Sequence, residues 1–477
     1  MSRVPQGHTL IVGLGLSGRA IARHLTRLGS PFMVADTRSA PPGLEAFRAD
    51  HPKVPVHCGP LTDLDLCQAS EVVLSPGVDP CTPGLKTLWE RSRVAADGSK
   101  DQGLKRRAPN ILGEIALFVR QCKAPIAAIT GSNAKSTMTT LLGEMASEAG
   151  LRVAVGGNLG TPALDLLHDH PDAELFVLEL SSFQLETTPR LGATTAAFLN
   201  LSEDHLDRHG DMSSYRAAKL GIFRGAAHAL VNGEDPLTWP QDAGLRCERF
   251  TTQPPRAGEW GIAEHDDGAG ARPWLMRGAE PLMAVSEMRL PGRHNQANAL
   301  AAMAMGHRLG VPLAAMRRVL MRFSGLPHRG ELVGDAQGVR WINDSKGTNV
   351  GATLAAIAGL GATLEGKLIW LGGGQGKGAD FSPLKVPLQQ YAREAIVFGA
   401  DAPRLASVLE GSMPVTRTQD MQQALERAAT IARPGDCVLL SPACASLDQF
   451  VDYLARGEAF RAWVVRHIAV LADQEPS

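Results

Sequence analysis

The chain has 477 residues, a formal net charge of −1, and a composition that is 44% hydrophobic and 20% charged. A chain of this length is expected to form about three domains, and its near-neutral charge gives no reason to expect nucleic acid or a membrane surface as a partner. Seven cysteines without a C-x-x-C pair indicate neither a disulfide framework nor a zinc site. We find no signal-peptide pattern and no apolar run of membrane-spanning length, and therefore expect a cytoplasmic protein.

The N-terminal segment has the pattern of a doubly wound αβ unit. The stretch TLIVGLGLSGRAIARHLTRLG predicts a strand, a glycine turn and a helix, and PFMVADTR predicts a second strand. The turn carries Gly13, Gly15 and Gly18 in the G-x-G-x-x-G spacing, and Asp36 follows at the distance that suits a ribose hydroxyl. A nicotinamide-dependent dehydrogenase is one interpretation, and a turn that serves only helix packing is the structural alternative. AADGSKDQGLKRR predicts a surface loop before the second domain.

A phosphate-binding turn is predicted within AAITGSNAKSTMTTLLGEM, residues 127–145. The pattern indicates a buried strand, a turn and a helix, so that backbone N–H groups, a lysine and a hydroxyl meet at a helix N-terminus. Ala134 stands directly before Lys135, where the usual motif has glycine. We expect Ala134 to have a negative φ, because a β-carbon is penalised only at positive φ. The alternative is a structural turn that binds no ligand.

Further candidate side chains follow predicted strands. Glu179 ends the strand of VLELSSFQLE, where a carboxylate beside a phosphate loop can hold a cation. His205 follows the next strand in NLSEDHLDRHG, although a lone histidine in such a place is more often structural. Residues 247–284 are rich in glycine, proline and charge, and predict irregular chain or short antiparallel strands.

The last third of the chain predicts another doubly wound domain, because four strand-then-loop units follow one another at αβ spacing. WINDSKGTN places Asp344 in a loop after one strand, and SPACASLDQF places Ser441 after another. Doubly wound sheets bind ligands outside the carboxyl ends of their strands. We therefore expect these loops to line a cleft, and predict domains over residues 1–112, 113–325 and 326–477.

Many motifs in a fixed order resemble those of the Mur ligases of peptidoglycan synthesis, above all the members that add glutamate. They include GLGLSG, DTR, GSNAKST, GNLG, ELSSFQLE, NLSEDHLDRH, YRAAKL, GRHNQANALAA, LPHR, NDSKGTN and SPACASLDQF, and they cover nearly the whole chain. The resemblance implies an α/β fold with three domains: an N-terminal Rossmann-like domain that binds UDP, a central P-loop ATPase domain with a mostly parallel sheet, and a C-terminal Rossmann-like domain. That family uses the shortened loop for ATP.

The resemblance also implies a reaction and a set of site residues. The reaction is ATP-dependent ligation of glutamate to UDP-N-acetylmuramoyl-L-alanine through an acyl phosphate, with two Mg²⁺ ions and a carbamylated Lys219. The residues that it places at the UDP-linked substrate are Leu16, Ser17, Asp36, Thr37, Arg38, Gly77 and Asn158. Those that it places at ATP are Gly131, Ser132, Asn133, Ala134, Lys135, Ser136, Thr137, Asn298, Arg329 and Asp344.

The remaining implied roles concern the metals, glutamate and catalysis. The implied metal ligands are Ser136, Glu179, His205 and Lys219, since a carbamate gives a lysine the oxygen atoms that Mg²⁺ prefers. The implied glutamate-site residues are Lys346, Thr348, Lys377, Ser446 and Tyr453. The residues expected to be catalytic are Lys135, Glu179, His205, Lys219 and Lys346.

Four positions in the third domain depart from the family pattern. Gly330 replaces a bulky apolar residue, Gly347 an alanine and Tyr453 a phenylalanine, and Gln375 stands near the place of an aspartate in a loop with one extra residue. The pattern resembles family variants that add L-glutamate. We therefore expect L-glutamate, with D-glutamate as the alternative, and a monomeric enzyme.

Two further alternatives remain. A non-catalytic nucleotide switch would need no third-domain cleft. Folylpolyglutamate synthase shares the ATP core of the family but not the N-terminal UDP-type domain.

Overall fold

The computed structural model describes residues 2–96, 109–242, 244–268, 270–290, 292–362 and 364–474. Most of the predicted loop AADGSKDQGLKRR lies outside these residues. The chain divides into two compact units: the first comprises Met1–Asn200, Ser213–Met283 and Ala299–Val319, and the second comprises Leu201–Met212, Ala284–Asn298 and Leu320–Ser477. Among the described residues, no helix is both long and apolar enough to cross a membrane.

The N-terminal segment forms a five-stranded parallel sheet in the first unit. Its elements are β1 (Ser2–Arg3), β2 (Thr9–Val12), α1 (Leu16–Arg27), β3 (Phe32–Asp36), α2 (Leu44–Asp50), β4 (Val56–Cys58), β5 (Leu64–Asp65), β6 (Glu71–Leu74), α3 (Lys86–Ala96), β7 (Asn110–Gly113) and α4 (Glu114–Gln121). The strand order is β4-β3-β2-β6-β7, with β1 and β5 paired separately. The order reverses between β2 and β6, which is where a doubly wound sheet opens a ligand crevice.

The predicted glycine turn joins β2 to α1. A β-carbon on Gly18 would lie 1.8 Å from the carbonyl oxygen of Gly13, and Gly13 itself has a φ of +98°. Both positions therefore need glycine, because the helix begins in direct contact with the turn.

The central segment forms a nine-stranded sheet of order β16-β15-β14-β13-β12-β11-β8-β10-β9. The elements along this part of the chain are β8 (Ile126–Thr130), α5 (Lys135–Glu148), β9 (Val153–Gly157), α6 (Ala163–Asp169), β10 (Leu175–Glu179), α7 (Ser182–Glu186), β11 (Thr195–Phe198), α8 (Leu206–His209), α9 (Met212–Leu220), β12 (Ala229–Asn232), β13 (Cys247–Phe250), β14 (Trp260–Asp266), β15 (Ala271–Arg277), β16 (Glu280–Ala284), α10 (Arg293–Arg308) and α11 (Leu313–Arg322). Strand β8 is fully buried and pairs in parallel with β10 and β11. Its carboxyl end carries the phosphate loop.

The segment of residues 247–284 is more regular than the sequence indicates. Strand β13 is parallel to β12, and β14 and β15 form an antiparallel pair. The short antiparallel strands were one of the two predicted outcomes, whereas the parallel extension through β13 was not predicted. Gly261 in β14 packs closely against the loop before it, because a β-carbon there would lie 2.4 Å from the carbonyl oxygen of Gln253.

The second unit contains a six-stranded sheet of order β17-β18-β22-β19-β20-β21. Its elements are β17 (Glu331–Ala336), β18 (Val339–Asn343), α12 (Val350–Gly361), β19 (Leu368–Gly373), α13 (Lys385–Tyr391), β20 (Ala392–Phe398), α14 (Ala402–Leu409), β21 (Val415–Arg417), α15 (Met421–Ile431), β22 (Cys437–Leu440) and α16 (Tyr453–Gln474). Strands β18, β19, β20 and β22 are the four predicted strands, and they pair in parallel. Strand β17 adds an antiparallel edge, and apolar cores cover both faces of the sheet.

Candidate active site

The phosphate loop is held by hydrogen bonds to the residue Asn200, which follows β11. The N–H of Ser132 donates to the carbonyl of Asn200 at 3.0 Å, and the N–H of Asn133 donates to the Asn200 side-chain oxygen at 2.8 Å. The Lys135 ammonium donates to the carbonyls of Gly131 and Ser132 at 2.9 and 3.0 Å. The lysine therefore folds over the loop at the start of α5, where a phosphate would find both the cation and backbone N–H groups.

The backbone of Ala134 contradicts the expectation of a negative φ. Ala134 has φ 65° and ψ −4° and is the N-cap of α5, so it occupies the left-handed region. A left-handed residue before the helix turns successive N–H groups inward and makes an anion-binding concavity, and contacts of the loop with Asn200 and Lys219 hold it in place. Glycine reaches this conformation freely, whereas alanine is strained there by about 1–2 kcal/mol.

Two oxygen-bearing side chains stand at the same sheet edge as the loop. Ser136, in the first turn of α5, and Glu179, at the end of β10, are both buried. The Glu179 carboxylate accepts a hydrogen bond of 2.7 Å from the side chain of Asn158. This contact joins a predicted metal ligand to a predicted substrate residue.

Lys219 is buried in the same unit. Its ammonium donates to the Gly131 carbonyl at 2.7 Å and lies 4.8 Å from the centre of the Tyr215 ring. The Tyr215 hydroxyl is in turn 3.2 Å from the Ser132 hydroxyl. Helix α9 therefore brings Lys219 and Tyr215 to the phosphate loop.

All seven residues predicted for the UDP-linked substrate line one open groove of about 690 Å³ in the first unit. One part of its lining comes from the loops after β2, β3 and β6, and the other from the segment after β9. Predicted residues in the lining are Leu16, Ser17, Asp36, Thr37, Arg38, Gly77 and Asn158. The groove lies at the point of strand-order reversal, as expected for a nucleotide site.

The Asp36 carboxylate is hydrogen-bonded within the protein and orients Arg38 in this groove. This buried carboxylate accepts hydrogen bonds from the N–H of Leu14 at 2.8 Å and from the Arg38 guanidinium at 2.8 Å. Burial alone would raise the pKa of Asp36, but the hydrogen bonds from Arg38 and Leu14 outweigh it and lower that pKa. Both carboxylate oxygens are thus engaged within the protein, and the half-exposed Arg38 is the charged group presented to a ligand.

The second unit contains a tight polar cleft built around Asp204. The Asp204 carboxylate accepts hydrogen bonds from the Lys377 ammonium at 3.1 Å and from the Asn349 side chain at 3.2 Å. Burial would raise the pKa of Asp204, but the Lys377 and His205 charges outweigh it and lower that pKa. Thr348, Lys377 and His205 line this cleft, so a predicted metal ligand meets two predicted glutamate-site residues.

Asp344 follows β18 as predicted, and its hydrogen-bond partners lie in the second unit. Its carboxylate accepts hydrogen bonds from the Ser441 hydroxyl at 2.7 Å and from the N–H of Gly330 at 3.2 Å. Burial raises the pKa of Asp344 to about 6, against the opposing effects of Ser441 and Arg329.

A fully buried arginine fixes the loops around this position. The Arg456 guanidinium donates to the Ser345 hydroxyl at 3.0 Å and to the carbonyls of Ser345 and Cys444 at 2.8 and 3.1 Å. A longer contact of 3.4 Å reaches the carbonyl of Gly373. Three strand-end loops are therefore held by one side chain of α16.

Two of the four departures from the family pattern, Gly330 and Gly347, have local structural explanations. Gly330 has φ 61°, which favours glycine, and a β-carbon on Gly347 would lie 2.7 Å from both Asp344 Oδ2 and Ser441 Oγ. Gln375 exposes its side chain while its backbone pairs with Ala445. The Lys346 ammonium lies over the face of the Tyr453 ring, 3.7 Å from the ring centre. None of these arrangements requires a particular glutamate enantiomer.

Several residues at these sites were not predicted from the sequence. Asn200 and Tyr215 contact the phosphate loop, Gln184 lines the groove, and Asp204 binds Lys377. Each belongs to a motif quoted above, so the motif boundaries could have indicated them. The other predicted residues include Asn298 on α10 and Ser446, which are both buried.

Three family descriptions match successive parts of the chain. Residues 7–94 match the Mur ligase MurD-like N-terminal domain, residues 129–306 match the Mur ligase middle domain, and residues 328–444 match the Mur ligase glutamate ligase domain. These matches together cover most of the sequence.

Relatives match over nearly the full length. A UDP-N-acetylmuramoylalanine–D-glutamate ligase of Chromohalobacter salexigens is 67% identical over 464 residues, which is 97% of this chain and 98% of the relative. A Pseudomonas aeruginosa protein of the same name is 49% identical, over 96% of this chain and 98% of the relative. These names overturn the expectation of L-glutamate, which was wrong: Gly330 and Gly347, two of the four departures on which it rested, meet local requirements of backbone conformation and packing.

Solved structures show the same fold. The UDP-N-acetylmuramate–alanine ligase MurC of Thermotoga maritima aligns with a TM-score of 0.58 and 18% identity, over 96% of this chain and 99% of that one. A folylpolyglutamate synthase/dihydrofolate synthase of Yersinia pestis, complexed with AMPPNP and a manganese ion, aligns with a TM-score of 0.55 and 20% identity, over 79% of this chain and 98% of that one. With the family matches and the relatives, this similarity shows that the chain belongs to the Mur ligase family and is an ATP-dependent, ADP-forming ligase that joins an acid to an amino acid.

Proposed function

We propose that this enzyme joins D-glutamate to UDP-N-acetylmuramoyl-L-alanine with hydrolysis of ATP to ADP and phosphate, a step of peptidoglycan precursor synthesis in the cytoplasm. The observation that carries the proposal is the single groove lined by all seven residues predicted for a UDP-linked substrate. The names of the relatives supply the enantiomer. A nicotinamide dehydrogenase would leave the phosphate loop without a role.

The reaction has two steps. The alanyl carboxylate attacks the γ-phosphate of ATP, forming an acyl phosphate and releasing ADP, and the glutamate amine then attacks the acyl carbon and releases phosphate. Lys135 and the N–H groups of the loop would bind the phosphates and neutralise the charge that develops on them. Lys377 and Thr348, in the cleft of the second unit, are suited to glutamate, since an ammonium and a hydroxyl can bind its carboxylates.

The side chains at the loop suit Mg²⁺. In the described ranges, no three His, Cys, Asp or Glu side chains form a metal cluster, but Mg²⁺ commonly uses one or two carboxylates together with phosphate and water. Ser136 and Glu179 supply a hydroxyl and a buried carboxylate at one sheet edge, and a carbamylated Lys219 would add oxygens. We assign His205 to a second site as a nitrogen ligand. Bound Mg²⁺ would supply charge neutralisation at the phosphates.

The test is ADP release with UDP-N-acetylmuramoyl-L-alanine, ATP and each glutamate enantiomer in turn. We expect turnover with D-glutamate and little with L-glutamate. Lys135→Ala should abolish turnover, because the loop loses the ammonium that folds over it at the start of α5, whereas Lys123→Ala, an exposed lysine before β8, should turn over normally. Equal activity of Lys135→Ala and wild type, or no turnover with D-glutamate, would overturn the proposal.

A further inference from the structure

Glu114 is a buried carboxyl group at the point where the chain leaves the five-stranded sheet and begins α4. Its side chain is 1% exposed. The preceding Gly113 is fixed in place, because its N–H donates to the Thr187 carbonyl at 2.9 Å and a β-carbon on it would lie 2.2 Å from the Thr187 hydroxyl. The position of Glu114 is therefore set by the backbone on both sides.

The surroundings of this carboxyl supply few donors. Glu114 Oε1 accepts a hydrogen bond of 3.1 Å from the N–H of Leu164, at the start of α6. Burial raises the pKa of Glu114, and the Ser17 hydroxyl and the N–H groups of Leu164 and Ala163 oppose that rise. Within the described chain, Oε2 has no partner at strict hydrogen-bonding geometry. The Ser17 hydroxyl is the neighbouring side-chain donor. A buried carboxyl oxygen without a hydrogen bond lowers the stability of the fold.

Ser17 lines one part of the groove, and Leu164 lies two residues after Pro162, which lines the other part. Ser17 lies at the start of α1, and Gly160 and Pro162 precede α6. Glu114 is hydrogen-bonded to the start of α6 and has the Ser17 hydroxyl as its neighbouring side-chain donor, so it lies behind the groove, between the two parts of the lining.

The rest of the contact between α1 and α6 is held independently of Glu114. The Arg23 guanidinium donates to both Asp165 oxygens, at 3.0 and 2.5 Å. His24 Nδ1 and His168 Nε2 lie 3.0 Å apart. The two helices should therefore stay docked when Glu114 is changed. The part that depends on Glu114 is the end of the contact nearest the groove.

We propose that Glu114 is a positioning residue for the nucleoside-diphosphate part of the substrate, acting through the orientation of the Ser17 hydroxyl and the spacing between Ser17 and the residues before α6. The inference rests on the proposed function, because it assigns the groove to a UDP-linked substrate. Glu114 itself contacts no ligand in this account.

The experiment compares substrate binding with turnover in Glu114→Ala and Glu114→Gln. UDP is the binding probe, measured by calorimetry without ATP, and KM is measured separately for the UDP-linked substrate, ATP and D-glutamate. We expect Glu114→Ala to weaken UDP binding and raise the KM for the UDP-linked substrate by about three- to tenfold, the effect of losing one buried hydrogen bond. The KM for ATP should stay within about twofold of wild type, the range expected for a site that the change leaves intact. Glu114→Gln, which keeps an acceptor for Leu164 and gains a donor, should lose less.

Two controls separate positioning from general stability. Phe118→Leu alters the same helix in the core, where Phe118 packs edge-on against Phe176, and should lower thermal stability without changing UDP affinity. Ser17→Ala and the double variant complete a cycle: if Glu114 acts through Ser17, the two losses should not add.

Unchanged UDP affinity in both Glu114 variants, or fully additive losses in the cycle, would overturn the inference. Failure of the wild-type enzyme to bind UDP is a different result, because it would overturn the proposed function and the inference together. If Glu114→Ala does not fold, the comparison of Glu114→Gln with Phe118→Leu decides the matter.

Discussion

Replacing Ala134 by glycine tests the strained conformation of the phosphate loop. Alanine at φ 65° is strained by about 1–2 kcal/mol relative to glycine. Glycine loses about 0.4–1 kcal/mol of that advantage, because it increases the conformational freedom of the unfolded chain. We therefore expect Ala134→Gly to stabilise the ligand-free enzyme by about 0.8 kcal/mol, and at most by about 1.6 kcal/mol. For a domain of about 200 residues this corresponds to a rise in Tm of about 2–3 °C, and at most of about 6 °C.

Thermal unfolding of the ligand-free protein is the assay, with two matched variants. Ala149→Gly makes the same exchange at the end of α5, where φ is −81°, so glycine relieves no strain and the Tm should fall. Ala134→Val puts a β-branched residue in the left-handed region and should lower the Tm more than Ala149→Gly does.

Binding of an ATP analogue measures the other consequence of the same change. The N–H groups of the loop keep their positions in Ala134→Gly, so the Kd should change by less than about threefold, the effect of a fraction of one hydrogen bond. If Ala134→Gly lowers the Tm as much as Ala149→Gly does, Ala134 does not occupy the left-handed region in solution, and the account of this loop is refuted.

Three further changes test other parts of the site. Lys219→Ala should abolish ADP release, and short carboxylic acids should restore part of it if a carbamate is the native group; absence of any restoration would count against carbamylation. Arg456→Lys should lower the Tm by several degrees, because an ammonium cannot replace the fork of donors that binds Ser345 and Cys444, and an unchanged Tm would contradict that role. Asp344 has its folded pKa raised from 3.8 to about 6, so its contribution to stability is present below pH 4 and lost as the pH rises through 6, by at most about 3 kcal/mol. Denaturant unfolding at pH 4 and pH 7 should show a smaller difference for Asp344→Asn than for wild type, and equal differences would refute the assignment.

The strands and the polar side chains that follow them could be predicted because they depend on local pattern. Gly18 is required by its close contact with Gly13, only five residues earlier. Strand β8 is a short apolar run before a turn. The same holds for β18 and β22, whose loops carry Asp344 and Ser441 as expected. The three domain boundaries stay predictions.

The torsion angle of Ala134 could not be predicted, because it depends on residues far along the chain. The Asn200 side chain accepts a hydrogen bond from the loop, and Tyr215 and Lys219 of α9 contact the loop as well. A residue-level rule for alanine favours negative φ, and only these long-range contacts hold the other conformation. The enantiomer was mispredicted because Gly330 and Gly347 were taken as part of a pattern that resembles L-glutamate-adding variants, although these glycines meet requirements of backbone conformation and of packing.

Backbone strain in this enzyme concentrates in the loops that carry its predicted ligand residues. Among the described residues, the non-glycine residues with positive φ are Ala134, His205, His328, Gln337, Lys377 and Ala443. Gln337 lies in the tight turn between β17 and β18, where such an angle is ordinary. Ala134 lies in the phosphate loop, His205 in the loop between β11 and α8, His328 in the segment before β17, and Lys377 and Ala443 in the loops after β19 and β22.

Contacts within the fold maintain this strain before any ligand arrives. Asp204 binds the ammonium of Lys377, and the N–H of Ala443 donates to the Gly347 carbonyl at 2.9 Å. Strained residues persist only where their surroundings over-determine the conformation. A loop held in this way need not be reorganised when charge develops during phosphoryl transfer, and fixed donors stabilise such charge better than mobile ones. The strain at Ala134 is therefore consistent with a site whose phosphate-binding N–H groups are arranged by folding and not by the nucleotide.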